Sequence, residues 1–290
     1  SCPSAISTVA DGGSCVATVS LGSATTADNC GVASVVNDAP ATFPIGTTTV
    51  TWTVTDNSGN TAQCTQDVTV VDSENPTISC PSDVNTTADL GSCDATGVVL
   101  GLPVTTDNCG VATVVNDAPV AFAVGTTTVT WTVTDNYGNT AQCTQDVVVT
   151  DDQNPTIVCP ADVSTTADAG VCTATGVSLG SATTADNCGI ASTVNDAPAT
   201  FALGTTTVTW TVTDIYGNTA QCTQDVTVTD DENPTISCPS AISTVADGGS
   251  CVATILSMGT PVTSDNCGVA SLVNDAPGSF PIGTTTVTWT

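Results

Sequence analysis

The sequence predicts an all-β chain of tandem, disulfide-bonded sandwich domains, and three observations predict it. The first is a repeat: Trp52, Trp131, Trp210 and Trp289 stand 79 residues apart, and a Cys-Pro pair recurs at Cys2, Cys80, Cys159 and Cys238. Self-similarity at a fixed period marks a repeat architecture. The second is alternation with a period of two, with no helical periodicity in any segment. The third is 15 cysteines in 290 residues, a density that points to an oxidising, extracytoplasmic setting.

The repeat divides the chain into 1–72, 73–151, 152–230 and an incomplete fourth copy, 231–290. In each copy the clearest strand corresponds to Thr47–Thr55, where Val50, Trp52 and Val54 share one face and threonines share the other. Asp56-Asn-Ser-Gly-Asn60 reads as a hairpin turn. The return strand, 61–71, turns Ala62, Cys64, Val68 and Val70 inward. Upstream, 6–9 is a short strand, Asp11-Gly-Gly13 a turn, 15–21 a strand with residues 15, 17, 19 and 21 inward, and 31–36 another strand before the turn Asn37-Asp-Ala-Pro40. About seven short strands with turn signals every 8–12 residues describe an immunoglobulin-like β-sandwich, here repeated in a rod-like array. The fourth copy lacks its last strand, which is expected in a continuing chain, and both ends read as cuts through a longer protein.

Composition excludes several roles. The chain has no lysine, arginine or histidine and 28 acidic residues, a formal charge of −28. Such a chain repels phosphate backbones and anionic lipid, so nucleic acid is not an expected partner. No run of 18 apolar residues is present, so membrane insertion of this segment is not expected. General acid–base chemistry has only carboxylates to draw on, and the chain reads as non-enzymatic. With 40% apolar and 10% charged residues, it can build cores and is not a disordered acidic tail.

Five motifs recur in order: Cys2-Pro3, Asp28-Asn29-Cys30-Gly31, Phe43-Pro44-Ile45-Gly46-Thr47, Asp56 to Ala62, and Cys64. Together they resemble the HYR (hyalin repeat) domain, four times over. Copies two and three depart at Phe122-Ala123 and Phe201-Ala202, where the proline is lost. The resemblance implies immunoglobulin-like sandwiches in extracellular, often adhesive, proteins, with long arrays typical of bacterial surface proteins, and no catalysis. In such a sandwich the first and last strands can run side by side. That expectation pairs Cys2 with Cys64 and leaves Cys15 with Cys30. Down the array it pairs Cys80 with Cys143, Cys93 with Cys109, Cys159 with Cys222, Cys172 with Cys188, and Cys251 with Cys267. Pairing 2–30 with 15–64 is the alternative, because four cysteines allow three connectivities. Zinc is not expected, because no CxxC and no histidine exist.

Most aspartates read as turn caps. Two sets read differently. One is the junction, Asp72-Ser-Glu74-Asn75-Pro, Asp151-Asp152-Gln-Asn154-Pro and Asp230-Asp231-Glu-Asn233-Pro; the other is the loops carrying Asp107, Asp135, Asp186, Asp214 and Asp265. If the chain enters each sandwich at one end, junction and loops converge on a site of hard oxygen ligands. Calcium, which accepts six to eight flexible oxygens, is the expected cofactor. Asp56, Asp135 and Asp214 do not vary between copies, whereas the next residue runs Asn57, Asn136, Ile215 and is no obligatory ligand. Glu74 is replaced by Gln153, so a carboxylate is not required there. The expected function is an extracellular stalk or fibre stiffened by calcium. Its partners are neighbouring repeats, with lateral or end-to-end self-assembly. The alternative is a glycan- or surface-binding module using loops or the threonine face. Rows such as Thr126 to Thr134 read as exposed β-branched residues, Trp52 and its repeats as core, and Asn85-Thr-Thr87 as one glycosylation sequon.

Overall fold

The computed structural model describes residues 1–290 and contains strands and no helix. The chain forms two compact units, Ser1–Asp152 and Gln153–Thr290. In the first unit, repeat 1 holds β1 (Ile6–Val9), β2 (Val16–Ala17), β3 (Val32–Asn37), β4 (Phe43–Pro44), β5 (Gly46–Asp56) and β6 (Thr61–Val71). Repeat 2 holds β7 (Thr77–Ser79), β8 (Val84–Thr87), β9 (Asp94–Thr96), β10 (Val104–Thr106), β11 (Val111–Asn116), β12 (Ala121–Ala123), β13 (Gly125–Asp135) and β14 (Thr140–Thr150).

The long hairpin β5–β6 organises repeat 1. Its turn is built by Asp56, whose Oδ1 accepts from the amides of Ser58 and Asn60 and whose Oδ2 accepts from the Asn60 side chain. β1 joins β6 in parallel and β3 joins β5 antiparallel, giving the sheet order β1-β6-β5-β3. The pair β2–β4 supplies Ala17 and Phe43 against Val50, Trp52, Val68 and Val70 of that sheet, and these six residues are the buried core. Repeat 2 repeats the plan with the order β11-β13-β14-β8, faced by the pairs β9–β12 and β7–β10. Its core is Ala88, Ala95, Phe122, Val129, Trp131, Val147 and Val149. A β-sandwich follows from the period-two pattern, because each long strand has one apolar face to bury.

The span expected as a strand over 15–21 is paired only at Val16–Ala17. Beyond it, the backbone amide and hydroxyl of Thr18 both bond Asp11 Oδ2 at 3.0 Å, which takes the chain off the ladder. Ala62, expected inward, is exposed.

A residue without an apolar signature anchors each complete core. Gln66, Gln145 and Gln224 are almost fully buried. Gln145 Oε1 accepts from Trp131 Nε1 at 3.1 Å, and its Nε2 donates to the carbonyls of Ser82 and Leu100. Gln66 does the same for Trp52, Ser4 and Leu21. The tryptophan N–H cannot reach water, so burial requires this partner.

In the second unit, repeat 3 holds β15 (Thr156–Val158), β16 (Val163–Thr166), β17 (Thr173–Thr175), β18 (Thr183–Ala185), β19 (Ile190–Asn195), β20 (Thr200–Ala202), β21 (Gly204–Asp214) and β22 (Thr219–Thr229), with the sheet order β16-β22-β21-β19. Repeat 4 has only β23 (Thr235–Ser237), β24 (Val252–Ala253), β25 (Val262–Ser264) and β26 (Phe280–Pro281). A cleft of about 610 Å³ lies between Ile242, Val287 and Trp289. In repeat 1 the matching positions Ile6, Val50 and Trp52 pair with β6.

Replacing Gln145 by leucine strands the Trp131 N–H and two carbonyls. Chemical denaturation of Gln145→Leu should show a loss of about 2–4 kcal/mol, whereas Gln142→Leu, on the exposed face, should change stability by under about 0.5 kcal/mol.

Candidate metal centre

The joint between repeats 1 and 2 is covalent. Cys15 is bonded to Cys109, with Cα atoms 5.1 Å apart, and in the second unit Cys172 is bonded to Cys267. The expected pairs Cys15–Cys30, Cys93–Cys109, Cys172–Cys188 and Cys251–Cys267 do not form, nor do 2–30 and 15–64. Cys93 and Cys188 are each disulfide-bonded, while Cys30, Cys238 and Cys251 are free and exposed. The reason is placement. Cys15 has the phase of residues 17, 19 and 21 but lies outside β2, directly after the turn closed by Ser14 N–H to the Asp11 carbonyl, where it bonds Cys109. That turn meets the Asp107-Asn108-Cys109 loop of repeat 2. Within repeats, Cys2 is bonded to Cys64, Cys80 to Cys143 and Cys159 to Cys222.

Around the Cys15–Cys109 bond the polar contacts are specific. Asn108 Nδ2 donates to the Ser14 carbonyl at 3.0 Å and to Cys109 Sγ at 3.3 Å. The Gly13 amide donates to Glu74 Oε2 at 2.8 Å. Through this oxygen Glu74, expected as a ligand, latches the linker to repeat 1.

Asp72 of the linker, Asp107 and Asp135 converge, with one carboxylate oxygen of each within 4.8 Å of the others. Each is fixed differently. Asp72 Oδ1 accepts from the Glu74 amide, and Asp107 Oδ2 accepts from the Cys109 amide at 2.7 Å. Their other oxygens, Asp72 Oδ2 and Asp107 Oδ1, are buried with no hydrogen-bond partner, as is Asn108 Oδ1. Asp135 is 2% exposed. Its Oδ1 accepts from the amides of Tyr137 and Asn139, and its Oδ2 from Asn139 Nδ2 at 2.7 Å. Burial pushes the Asp135 carboxyl up, but the Asn139 side chain and the amides of Tyr137, Asn139 and Gly138 outweigh it and hold the group below its ordinary value of 3.8. Asp135 is thus ionised and buried.

Three carboxylates at this spacing repel one another by about 3 kcal/mol per pair at an effective dielectric constant of ~20, and the protein offers no cationic side chain to offset it. Three buried oxygens without a donor beside an ionised third carboxylate suit a cation rather than another hydrogen bond. In repeat 1, Asp56 makes the same turn contacts as Asp135 yet is only partly buried. Its carboxyl is lowered first by the Asn60 side chain, against desolvation, with help from the amides of Asn60, Ser58 and Gly59.

The remaining expected ligands divide. In the second unit Asp186 and Asp214 approach within 4.8 Å, with Asp186 Oδ1 buried and unpartnered and Asp214 held by Asn218 and Tyr216. Asp230 Oδ1 accepts from Asn266 Nδ2 at 3.3 Å, and Asp265 Oδ1 from the Cys267 amide. Asp151 is partly buried in the first unit. Asn75, Asp152, Asn154, Asp231 and Asn233 are exposed, as is Asp230. Asn108, absent from the expected ligands, carries an orphaned oxygen; its only sequence signal is adjacency to Asp107 and Cys109.

The chain is 35% identical to Hyalin of Strongylocentrotus purpuratus over 306 aligned positions, covering 96% of the chain and 25% of that protein. It is 34% identical to Hyalin of Lytechinus variegatus, covering 91% of the chain and 53% of that protein. The chain thus spans about a quarter and about half of these relatives. Both are animal proteins and lend no support to the expected bacterial origin. Among solved structures, protocadherin gamma B7 extracellular cadherin domains 1–4 align over 81% of the chain and 74% of that structure at 12% identity and a TM-score of 0.33. The HYR domain family matches residues 1–70, 71–149 and 150–228. The disulfide-bonded tandem repeats described above therefore belong to the HYR family.

Proposed function

We propose that this chain is a segment of an extracellular stalk or fibre whose joints are stiffened by calcium. The observation that carries the reading is the joint between repeats 1 and 2, where a disulfide and three converging carboxylates tie the same two sandwiches and their linker. The oxidised cysteines favour a site outside the cell. Asp72, Asp107 and Asp135 would hold the ion, with Asn108 Oδ1 beside them. All four offer hard oxygen donors, which suits calcium better than a softer metal. A bound calcium supplies the positive charge that the sequence omits. Asp72 sits in the linker while Asp107 and Asp135 sit on two loops of repeat 2, so shared binding fixes the linker against the sandwich. Cys15–Cys109 and the Glu74 latch hold the other side of the joint to repeat 1.

Two measurements test this. At a calcium concentration about a hundredfold above the dissociation constant, linkage adds about 2.7 kcal/mol, and the melting temperature of the unit containing repeats 1 and 2 should rise by roughly 5–10 °C over the chelated protein. Asp107→Asn should abolish the rise while retaining the fold by circular dichroism. Identical melting with calcium and with chelator would remove calcium from the reading.

The acid response gives the second. Because the folded-state carboxyl of Asp135 lies below its ordinary value, its stabilisation is present above that value and is lost as pH falls through the folded-state one. Asp135→Asn should be less stable at pH 7 and show a shallower loss of stability below about pH 3.8 in acid titrations followed by tryptophan fluorescence.

A further inference from the structure

Asn85-Thr86-Thr87 is the single Asn-x-Ser/Thr acceptor signature in the chain, because in Asn75-Pro-Thr77, Asn154-Pro-Thr156 and Asn233-Pro-Thr235 the middle residue is proline. The signature lies on β8, where Val84 packs against the core while Asn85 and Thr87 are exposed. Alternation along a strand puts residues two apart on one face, so the amide and the hydroxyl that the signature requires stand together on the open side of the sheet. β8 also ends its sheet, in the order β11-β13-β14-β8, so no strand covers its far edge. Asn57, Asn60, Asn136 and Asn139 use their side-chain amides to bond carbonyls and carboxylates of the turns. The Asn85 amide stands in solvent.

The surroundings change together with the asparagine. In repeats 1 and 3 the matching residues are Ser7 and Ser164, and each pairs with a threonine, Thr69 or Thr227. Those threonine hydroxyls bond the hydroxyls of Thr47 and Thr205 at 3.0 and 3.1 Å. In repeat 2 Asn85 pairs with Val148, and Val148 pairs with Thr126 on its other side. The residue beside the asparagine thus trades a hydroxyl for a half-buried apolar surface. Neighbouring strands lie about 4.8 Å apart, which brings Val148 within reach of a sugar ring on Asn85, and the apolar face of a pyranose gains by covering it. β8 keeps its place without using Asn85. The Asp146 amide donates to Asp83 Oδ1 at 2.9 Å, and the Ala88 amide donates to the Thr150 carbonyl at 2.9 Å.

We propose that Asn85 carries an N-linked oligosaccharide whose first sugar lies against Val148. This rests on the extracellular reading, since the transfer belongs to the secretory pathway, and it does not depend on the cation. The donor is an oligosaccharide carried on a polyprenyl diphosphate. Asn85 Nδ2 bonds C1 of the reducing-end sugar as the bond from C1 to the diphosphate oxygen breaks. The polyprenyl diphosphate leaves with the electron pair, one amide proton passes to solvent, and nothing is oxidised or reduced. The acceptor is open during synthesis, because β8 pairs only with β14, and Asp83 and Asp146, which fasten the two strands, lie 63 residues apart. In the folded repeat the carbohydrate stands at the open edge of the sheet, where an unpaired strand otherwise invites another strand. It adds a bulky, neutral, solubilising group to one repeat alone.

The test is secretion of the 290-residue chain from cultured animal cells. It is read by mass spectrometry of peptides cut at aspartate, before and after peptide-N-glycosidase in heavy-oxygen water. The expected result is N-linked carbohydrate at Asn85 alone, with that residue converted to labelled aspartate by the enzyme. Asn85→Gln and Thr87→Ala should each remove the carbohydrate, and Thr87→Ser should retain it. Asn85→Gln should melt roughly 2–4 °C below the glycosylated protein, and Val148→Thr should cut that gap by about half or more at unchanged occupancy. An unmodified Asn85 in secreted protein with Cys80–Cys143 formed, or N-linked carbohydrate that survives Asn85→Gln, would overturn the proposal. A melting gap indifferent to Val148→Thr would overturn the placement of the sugar against β14. Carbohydrate at Asn85 on a chain whose cysteines stay reduced would remove the extracellular reading alone.

Discussion

A chain with no cationic side chain has to place every carboxylate against a backbone amide, a hydroxyl, a side-chain amide or water, and this constraint shapes the molecule from its turns to its joints. Asp11, Asp89, Asp168 and Asp247 close the turns before β2, β9, β17 and β24 respectively. Asp56, Asp135 and Asp214 each build a long-hairpin turn. Asp38, Asp117 and Asp196 hold the approach to the tryptophan strand through the amides of Thr51, Thr130 and Thr209. These are charge-assisted bonds to N–H groups, stronger than neutral ones. They let an all-β repeat fold with no ion pair. Where three such residues converge, as Asp72, Asp107 and Asp135 do, the supply of amides runs short and oxygens are left over.

The small cores set the second requirement. Six or seven fully buried residues per repeat are few for about 79 residues, and domains of this size lean on cross-links. The bond from Cys2 to Cys64 encloses most of the repeat, worth roughly 4 kcal/mol in the chain-entropy model. The bond from Cys15 to Cys109 does something different. It makes the neighbouring sandwich part of the same covalent loop, so the first two repeats stand as one compact unit.

Much of this was legible in the sequence because period-two alternation and turn chemistry are local. The hairpin at Thr47–Val71, the inward Trp52 and the caps at Asp56 follow from neighbouring residues. So does the convergence of Asp107 and Asp135, since both sit on loops at the end where the chain enters. Cysteine pairing is not local. Cys15 shares the phase of Ala17, which argued for an inward side chain, yet it lies in the turn before the strand and faces the next repeat. Gln66 was missed because a polar residue on an inward phase carries no apolar signal; its need arises only once Trp52 is buried beside it. The contact of Glu74 is not local either, since the Gly13 amide that it engages comes from a turn 61 residues earlier.

The enclosing bonds also set how far such a chain can be drawn out by tension. With Cys2–Cys64 and Cys80–Cys143 intact, a pulling force crosses the first two repeats through sulfur, and only the sixteen residue steps from Cys64 to Cys80 can straighten between bonds. At ~3.4 Å per residue that is about 55 Å of contour, against about 270 Å for a fully uncoiled repeat. Even with every sheet torn open, the first two repeats would behave as a tether with a hard stop.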